Sequence, residues 1–322
     1  ENTTFKRNKK QGLQLNKKTL TSATNNTFVR NGIYSIYSDA SNIGNMGEDN
    51  NLDKGIAVEG NVQSSVTWPG LKYVILGNVD IGEYEVSAGE VLTIAPGAEL
   101  LFKEDAYFEV QYGMSLQALG TAENPIVFKT ADAGKYWGYG SSNTHSGGIW
   151  IDHEAGTDNI FDFVVMDSAN TAIYAERENG LVVTNSSFTN NQYQGLILKE
   201  NVLKSLDSCT FTGNRLYDLY THASNIGGMS AQQTQDKGFA IMASTISKNA
   251  TWPALKYMIL ETISAGEYEE SKDQVLTISA GAELLFKENS YIEVQYEMSL
   301  QALGSAESPI VFKSGEAGKY WG

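Results

Sequence analysis

The stretch Asn185–Leu196 reads NSSFTNNQYQGL, and 23 residues later Ser208–Leu219 reads SCTFTGNRLYDL. Phenylalanine, asparagine and leucine occupy matching positions in the two stretches. The same step separates Phe5 from Phe28 near the start of the chain. A residue pattern that returns at a fixed short step predicts a solenoid, in which each coil stacks on the one before it at the spacing of neighbouring β-strands.

Three positions carry this pattern. The first position is occupied by Phe5, Phe28, Val165, Phe188 and Phe211. The second position, eight residues later, is aliphatic and is occupied by Leu13, Ile36, Ile173, Leu196 and Leu219. Asparagine follows three positions after each phenylalanine, at Asn8, Asn31, Asn191 and Asn214, whereas Ser168 breaks the series. We predict that the four phenylalanines point inward and stack in one line. We also predict that the asparagines adopt a left-handed backbone at a turn and bond their stacked neighbours.

A longer repeat contains the short one. Residues 68–138 recur at 252–322 with about 49 identities in 71 positions, a spacing of 184 residues. The first part recurs as well, because Asn2–Phe5 matches Asn185–Phe188 and Ser41–Gly44 matches Ser224–Gly227, both at a spacing of 183. The sequence therefore predicts one copy over residues 1–183 and an incomplete second copy over 184–322. An array that continues in both directions is the simplest expectation.

Short β-rich runs lie at residues 91–94, 100–102, 126–128, 149–151 and 181–184, separated by Gly, Asn, Asp and Ser turns. Three such runs per step predict an all-β, right-handed parallel β-helix with coils of about 23 residues and at most about fourteen coils. Longer loops are expected to project near residues 39–66 and 222–250. Propeller blades, leucine-rich repeats and helical arrays show other repeat patterns, so the sequence argues against these folds.

Four motifs of the first copy resemble the right-handed parallel β-helix repeat proteins of Bacteroidota cell surfaces. They are LTIAPG (Leu92–Gly97), SLQALGT (Ser115–Thr121), PIVF (Pro125–Phe128) and GGIW (Gly147–Trp150). The second copy keeps the first three, except that Ser279 and Ala280 replace Ala95 and Pro96, and Ser305 replaces Thr121. The resemblance implies a large secreted or surface-anchored protein, one that builds extracellular fibres or hooks. It implies no particular activity, because this frame carries lyases, sugar binders and spacers.

Composition excludes several classes of partner. The formal net charge of −15 argues against nucleic-acid binding, which requires a surplus of lysine and arginine. No apolar run has the length needed to cross a bilayer, so membrane insertion of this segment is not expected. The single cysteine, Cys209, excludes an intramolecular disulfide, and we expect a buried, inert thiol.

Two acidic segments contain residue types that catalysis or calcium binding requires. The first holds Asp152, Glu154, Asp158 and Asp162 together with His153, and a polysaccharide lyase would need such acids beside a base. The second crowds oxygen donors of the kind that calcium prefers, namely Asp39, Asn42, Asn45, Glu48, Asp49, Asn51 and Asp53. In the second copy His222 and Gln232 replace Asp39 and Asp49, so a calcium site would exist in one copy only. His145, His153 and His222 lack zinc-ligand spacing. We therefore assign no catalytic, cofactor or metal residues from sequence and keep calcium as an open alternative.

Two further features concern partners. The aromatic residues Trp68, Tyr73, Tyr136, Trp137, Trp252, Tyr257, Tyr320 and Trp321 either pack against the coil or stack on sugar rings. Six basic residues, Lys6, Arg7, Lys9, Lys10, Lys17 and Lys18, make the first coil basic, whereas the matching stretch of the second copy has one lysine. A basic coil in an acidic chain either is a solvated face or pairs with an acidic face of another copy.

The leading functional prediction is a structural repeat module of an extracellular or cell-surface fibre or adhesin. In it a rigid rod displays loops and associates with neighbouring repeats and with other copies of itself. A carbohydrate-binding module for surface glycans and a polysaccharide lyase are the alternatives.

Overall fold

The protein was analysed as a computed structural model that describes residues 1–142, 144–176, 178 and 180–322. The chain is an all-β solenoid of about 13 turns with parallel strands, and successive coils are about 24 residues apart. This confirms the predicted parallel β-helix, with a pitch one residue longer than the sequence step. Among the described residues no helix has the length and apolar character that a membrane crossing requires.

The strands are short, as expected where every coil must turn three times. In the first copy they are β1 (Thr4–Lys6), β2 (Leu13–Leu15), β3 (Thr27–Val29), β4 (Ile36–Asp39), β5 (Asn51–Leu52), β6 (Ile56–Val62), β7 (Val66–Trp68), β8 (Lys72–Ile81), β9 (Val91–Ile94), β10 (Glu99–Phe102), β11 (Phe108–Val110), β12 (Ser115–Leu119), β13 (Ile126–Thr130), β14 (Tyr139–Ser142), β15 (His145–Gly147), β16 (Ile149–Ile151), β17 (Ile160–Asp162), β18 (Val164–Asp167) and β19 (Ile173–Ala175). They continue as β20 (Leu181–Thr184), β21 (Ser187–Thr189), β22 (Leu196–Leu198), β23 (Leu203–Asp207), β24 (Thr210–Thr212), β25 (Leu219–Thr221), β26 (Phe239–Ile241), β27 (Ser244–Ile246), β28 (Ala250–Trp252), β29 (Lys256–Ile259), β30 (Ile263–Ala265), β31 (Val275–Ser279), β32 (Glu283–Phe286), β33 (Ile292–Val294), β34 (Ser299–Leu303) and β35 (Val311–Ser314). Two short 3-10 helices, Ala40–Asn45 and Ala223–Gly228, complete the elements.

Each coil has three sides, and parallel pairing links equivalent strands of successive coils. The first side contains β2, β4, β10, β13, β18, β21 and β24, together with the start of β6 and of β8. The second side begins with the ends of β6 and β8 and runs through β11, β16, β19, β22, β25, β26, β29, β32 and β35. The third side contains β1, β3 and β5, and then β7, β9, β12, β17, β20 and β23. The coil therefore turns three times, and on each side alternate side chains of the strand point into the core, as Leu92 and Ile94 of β9 do.

The inward side chains form one continuous core. Residues of both sequence copies belong to the same cluster, from Phe28 in the first to Phe286 in the second. Strand β20 itself spans the boundary between residues 183 and 184. The boundary between copies is thus not a break in packing.

The phenylalanine ladder is confirmed in pairs but not as one line. The rings of Phe5 and Phe28 stack at 4.6 Å between centroids, and those of Phe188 and Phe211 stack at 5.2 Å. Phe28, Phe188 and Phe211 are buried, and Phe5 is partly buried against the core. However, Phe5 and Phe28 lie on the third side, whereas Phe188 and Phe211 lie on the first side. The prediction of a single line was wrong for this reason.

The asparagine ladder is confirmed in its hydrogen bonds. The backbone N–H and the side-chain Nδ2 of Asn191 both donate to Oδ1 of Asn214, at 3.2 and 2.8 Å, and Asn8 donates to Asn31 at the same distances. The predicted left-handed backbone falls one residue earlier, for example at Asn190 with φ 54°. The left-handed residue turns the chain, and the asparagine that follows it forms the hydrogen bonds between coils.

The segments 39–66 and 222–250 were wrongly predicted as projecting loops. They contain the two 3-10 helices and paired strands, including β6 and β26. The insertion that does stand apart is the antiparallel hairpin of β14 and β15, between β13 and β16. Coil length varies accordingly. Counted along the first side it runs from 17 residues between Ile56 and Tyr73 to 38 between Phe128 and Met166, and along the third side 43 residues separate Gln117 from its partner Ile160.

The long repeat is not a whole number of turns. Seven pairing steps lead from Leu13 through one column of the first side to Phe188. Leu196, the counterpart of Leu13, lies one side further on, in the column of Ile173. One long repeat therefore takes seven turns and one third, and equivalent residues of the two copies lie on neighbouring sides of the rod.

Candidate functional site

The large aromatic residues singled out in the sequence are mostly core. Trp68, Tyr73, Trp137, Trp252 and Tyr257 have no exposed surface. The indole N–H of Trp137 donates to the Asp167 carbonyl at 2.8 Å, and the Tyr73 hydroxyl donates to the Pro69 carbonyl at 2.7 Å. The packing interpretation is confirmed for these five, and sugar stacking by them is wrong. Trp321 packs on Phe286 at 4.3 Å, whereas Tyr320 is 92% exposed.

The acidic segment of residues 152–162 is divided between two sides of the coil. Asp162 Oδ1 accepts hydrogen bonds from Thr184 Oγ1 at 2.7 Å and from Asn185 Nδ2 at 2.9 Å, which ties two coils of the third side together. Asp152 and His153 instead follow β16 on the second side. The segment does not form one cluster.

The oxygen-rich segment of residues 39–53 is engaged in backbone hydrogen bonds. Asp39 accepts the Ser41 N–H and so caps the first 3-10 helix, and Asn42 Oδ1 accepts the N–H groups of Thr19 and Leu20, both at 2.9 Å. Asp53 Oδ2 accepts the Arg30 N–H. These residues position the coil, and calcium binding here stays a prediction.

The hairpin of β14 and β15 covers the outer face of the second side and brings tyrosine, histidine and tryptophan rings together there. The ring of Tyr139 stacks on Trp150 at 5.3 Å with an interplanar angle of 21°. The ring of His145 stands edge-on to Tyr174 at 4.9 Å, with Nδ1 at 3.1 Å from the Tyr174 hydroxyl. That hydroxyl donates to Glu176 Oε1 at 2.5 Å.

Carboxylates border this cluster. One ligand atom each from Asp152, His153 and Glu176 lies within 4.8 Å of the others, and Asp152 Oδ1 is 2.8 Å from His153 Nδ1. Such a set of oxygen and nitrogen ligands could hold a divalent cation. On the preceding coil, burial raises the pKa of Glu109, and the neighbouring Asp80 and Asp152 add to the effect.

Sequence reasoning found Asp152 and His153 here but missed Tyr139, Trp150 and Tyr174. The hairpin brings Tyr139 and Tyr174 to the same ring cluster across 35 residues of sequence, and no spacing signal predicts that.

The six basic residues of the first coil are exposed, as a solvated or partner-binding face requires. A third surface, made of exposed tyrosines, was also missed, although a repeated Gly-Glu-Tyr-Glu run could have found it.

Comparisons with models of protein families, with curated proteins and with solved structures found no match to this chain. The solenoid architecture rests on the strand pairing described above.

Proposed function

We propose that this chain is a structural repeat module of a large extracellular or cell-surface fibre or adhesin. It acts as a stiff rod that carries surface sites at fixed intervals. The observation that carries the proposal is the column from Leu13 to Phe188, which runs to the start of the second copy without a gap in pairing or packing. A rod with a break between copies would flex there, whereas a continuous ladder resists bending.

One further observation supports association with neighbouring repeats or other copies. The six basic residues of the first coil are exposed and give a charged face for contact between chains. The sequence motifs that resemble Bacteroidota surface proteins support the extracellular location.

The proposal is tested by electron microscopy of tandem arrays of residues 1–183. Each added copy should lengthen a straight rod by about 35 Å, because seven turns and one third advance about 4.8 Å each. A matched array with a flexible Gly-Ser insertion at each copy boundary is the control and should bend at the joints. Arrays of the unmodified repeat that bend like the control would contradict the proposal.

A further inference from the structure

Two pairs of surface tyrosines occupy equivalent positions in the two copies: Tyr84, Tyr268 and Tyr296 are exposed, and Tyr112 is partly exposed. Tyr84 stands edge-on to Tyr112 with ring centroids 5.7 Å apart at 78°, and Tyr268 stands edge-on to Tyr296 at 5.9 Å and 80°. Each pair joins the corners of two successive coils. The near identity of the two geometries shows that the arrangement is built into the long repeat.

The backbone fixes these rings. Gly82 and Gly266 have φ values of 128° and 129°, and a side chain at either would collide with a carbonyl oxygen of the coil above. Behind the tyrosine turn, the Ser87 hydroxyl accepts the Glu83 N–H at 2.9 Å and donates to a carbonyl of the preceding coil, and Ser271 does the same in the second copy. Tyr112 and Tyr296 both have φ 52°. The rings are therefore presented by a rigid frame.

The fold does not require these tyrosines. Between residues 77 and 90 the two copies share Gly82, Glu83, Tyr84, Glu85 and Ser87, and every other position differs. The glycine and the serine have the structural roles given above. Tyr84 and Tyr268, however, are 66% and 69% exposed. A large exposed ring that is kept together with its flanking glutamates, while residues 77–81 and 88–90 change, points to contact with a ligand.

We propose that each tyrosine pair binds a pyranose unit of a neutral or amine-bearing saccharide. The first recess, of about 310 Å³, is lined by Tyr84, Glu85, Ala88, Tyr112, Gly113 and Glu154. The second, of about 360 Å³, is lined by Tyr268, Glu269, Lys272, Tyr296 and Glu297. An aromatic face packs against the C–H face of a sugar ring, and carboxylates accept hydrogen bonds from its hydroxyl or ammonium groups.

Charge and size select this ligand class. Each recess presents two carboxylates, and the chain carries a net charge of −15, so anionic ligands are repelled. In the second recess Lys272 lies 3.8 Å from Glu297 and is paired with it. A stable protein partner needs roughly 800 Å² on each surface, whereas each site offers two rings bordered by acids. A small polyol matches these dimensions better than a protein does.

The offset between the copies places the two recesses on neighbouring corners of the rod. They are about 35 Å apart along its axis at about 4.8 Å per coil. A long polysaccharide can reach both sites, and a short oligosaccharide only one. Two linked sites bind more strongly than either alone. The inference concerns the surface of one chain and does not depend on the proposed assembly of rods.

The experiment uses the full chain and a panel of tri- to hexasaccharides of glucose, galactose, mannose and N-acetylglucosamine. Binding is followed by saturation-transfer NMR and by titration calorimetry. The variants are Tyr84→Ala, Tyr268→Ala and the double variant, whose side chains are exposed and leave the core unchanged. Tyr320→Ala is the matched control, because Tyr320 is 92% exposed outside both recesses.

At least one neutral or amino oligosaccharide should bind with two sites per chain. Each single variant should lose one site or weaken it about tenfold, in keeping with loss of one aromatic contact. The double variant should lose binding, and Tyr320→Ala should not. The proposal is overturned if no member of the panel binds at millimolar concentration, or if the double variant binds as well as the unmodified chain. Binding of acidic peptides or proteins that is lost in the double variant, without saccharide binding, would also overturn it.

Discussion

Replacing Phe188 by alanine removes a buried ring from the first-side column, between Met166 and Phe211. The ring is fully buried and stacks on Phe211 at 5.2 Å with an interplanar angle of 16°, and Met166 pairs with it in register on the coil below. Backbone ladders hold the neighbouring coils at the strand spacing, so the cavity cannot collapse. We therefore expect a loss of about 4 to 5 kcal/mol in the free energy of unfolding, in the upper part of the range for buried phenylalanine.

Unfolding in guanidinium is monitored by circular dichroism. The slope of the unfolding free energy against denaturant concentration is compared between variants, because a change in that slope would show that a different part of the chain unfolds cooperatively. The matched control is Phe5→Ala, at the same repeat position in the first coil. Phe5 is partly exposed and stacks on one ring only, so its loss should be about 1 to 2 kcal/mol. Equal losses for the two variants would refute the reasoning from burial between two coils.

Three further outcomes are expected. Asn191→Ala should cost about 2 to 4 kcal/mol, because it leaves the buried N–H of Ala169 without its acceptor and removes one of the two hydrogen bonds that Asn214 Oδ1 accepts, whereas Asn8→Ala in the exposed first coil should cost less; denaturation midpoints compare the two. Burial raises the pKa of Cys209 to about 12, so at pH 8 iodoacetamide should label it, by mass spectrometry, only after unfolding; labelling at the rate of a free thiol in the native protein would contradict this. Burial lowers the pKa of His222, whose Nδ1 accepts the Ser224 N–H at the start of the second 3-10 helix. The stability that neutral His222 contributes should be present above pH 6.5 and be lost as the pH falls through the lowered pKa of this side chain. His222→Asp should therefore reduce the drop in denaturation midpoint between pH 7 and pH 5.

Much of the fold follows from local sequence. The step of 23 residues predicted the coil, and β9, β16 and β20 have the predicted bounds. The asparagine ladder was predictable because its hydrogen bonds join residues of equal phase. Cys209 is buried, as expected for the single cysteine of the chain.

The side on which each strand lies could not be predicted in the same way. Phe5 and Phe188 have similar sequence environments but occupy different sides, because the coils between them, counted along the first side, range from 17 to 38 residues. The phase at Phe188 depends on every intervening coil, including the hairpin insertion. The candidate surfaces could not be predicted for a related reason. Trp68 and Tyr84 are both aromatic, and the sequence does not show that the coil turns Trp68 into the core and Tyr84 towards the surface.

The central structural result is that one long repeat takes seven turns and one third, and helical diffraction or image reconstruction from tandem arrays of residues 1–183 tests it most directly. Successive copies should be related by a rise of about 35 Å and a rotation of one third of a turn, so that the array repeats along its axis after three copies, about 105 Å. An axial repeat of one copy, with all equivalent sites on the same side of the rod, would contradict the register between Leu13, Phe188 and Leu196.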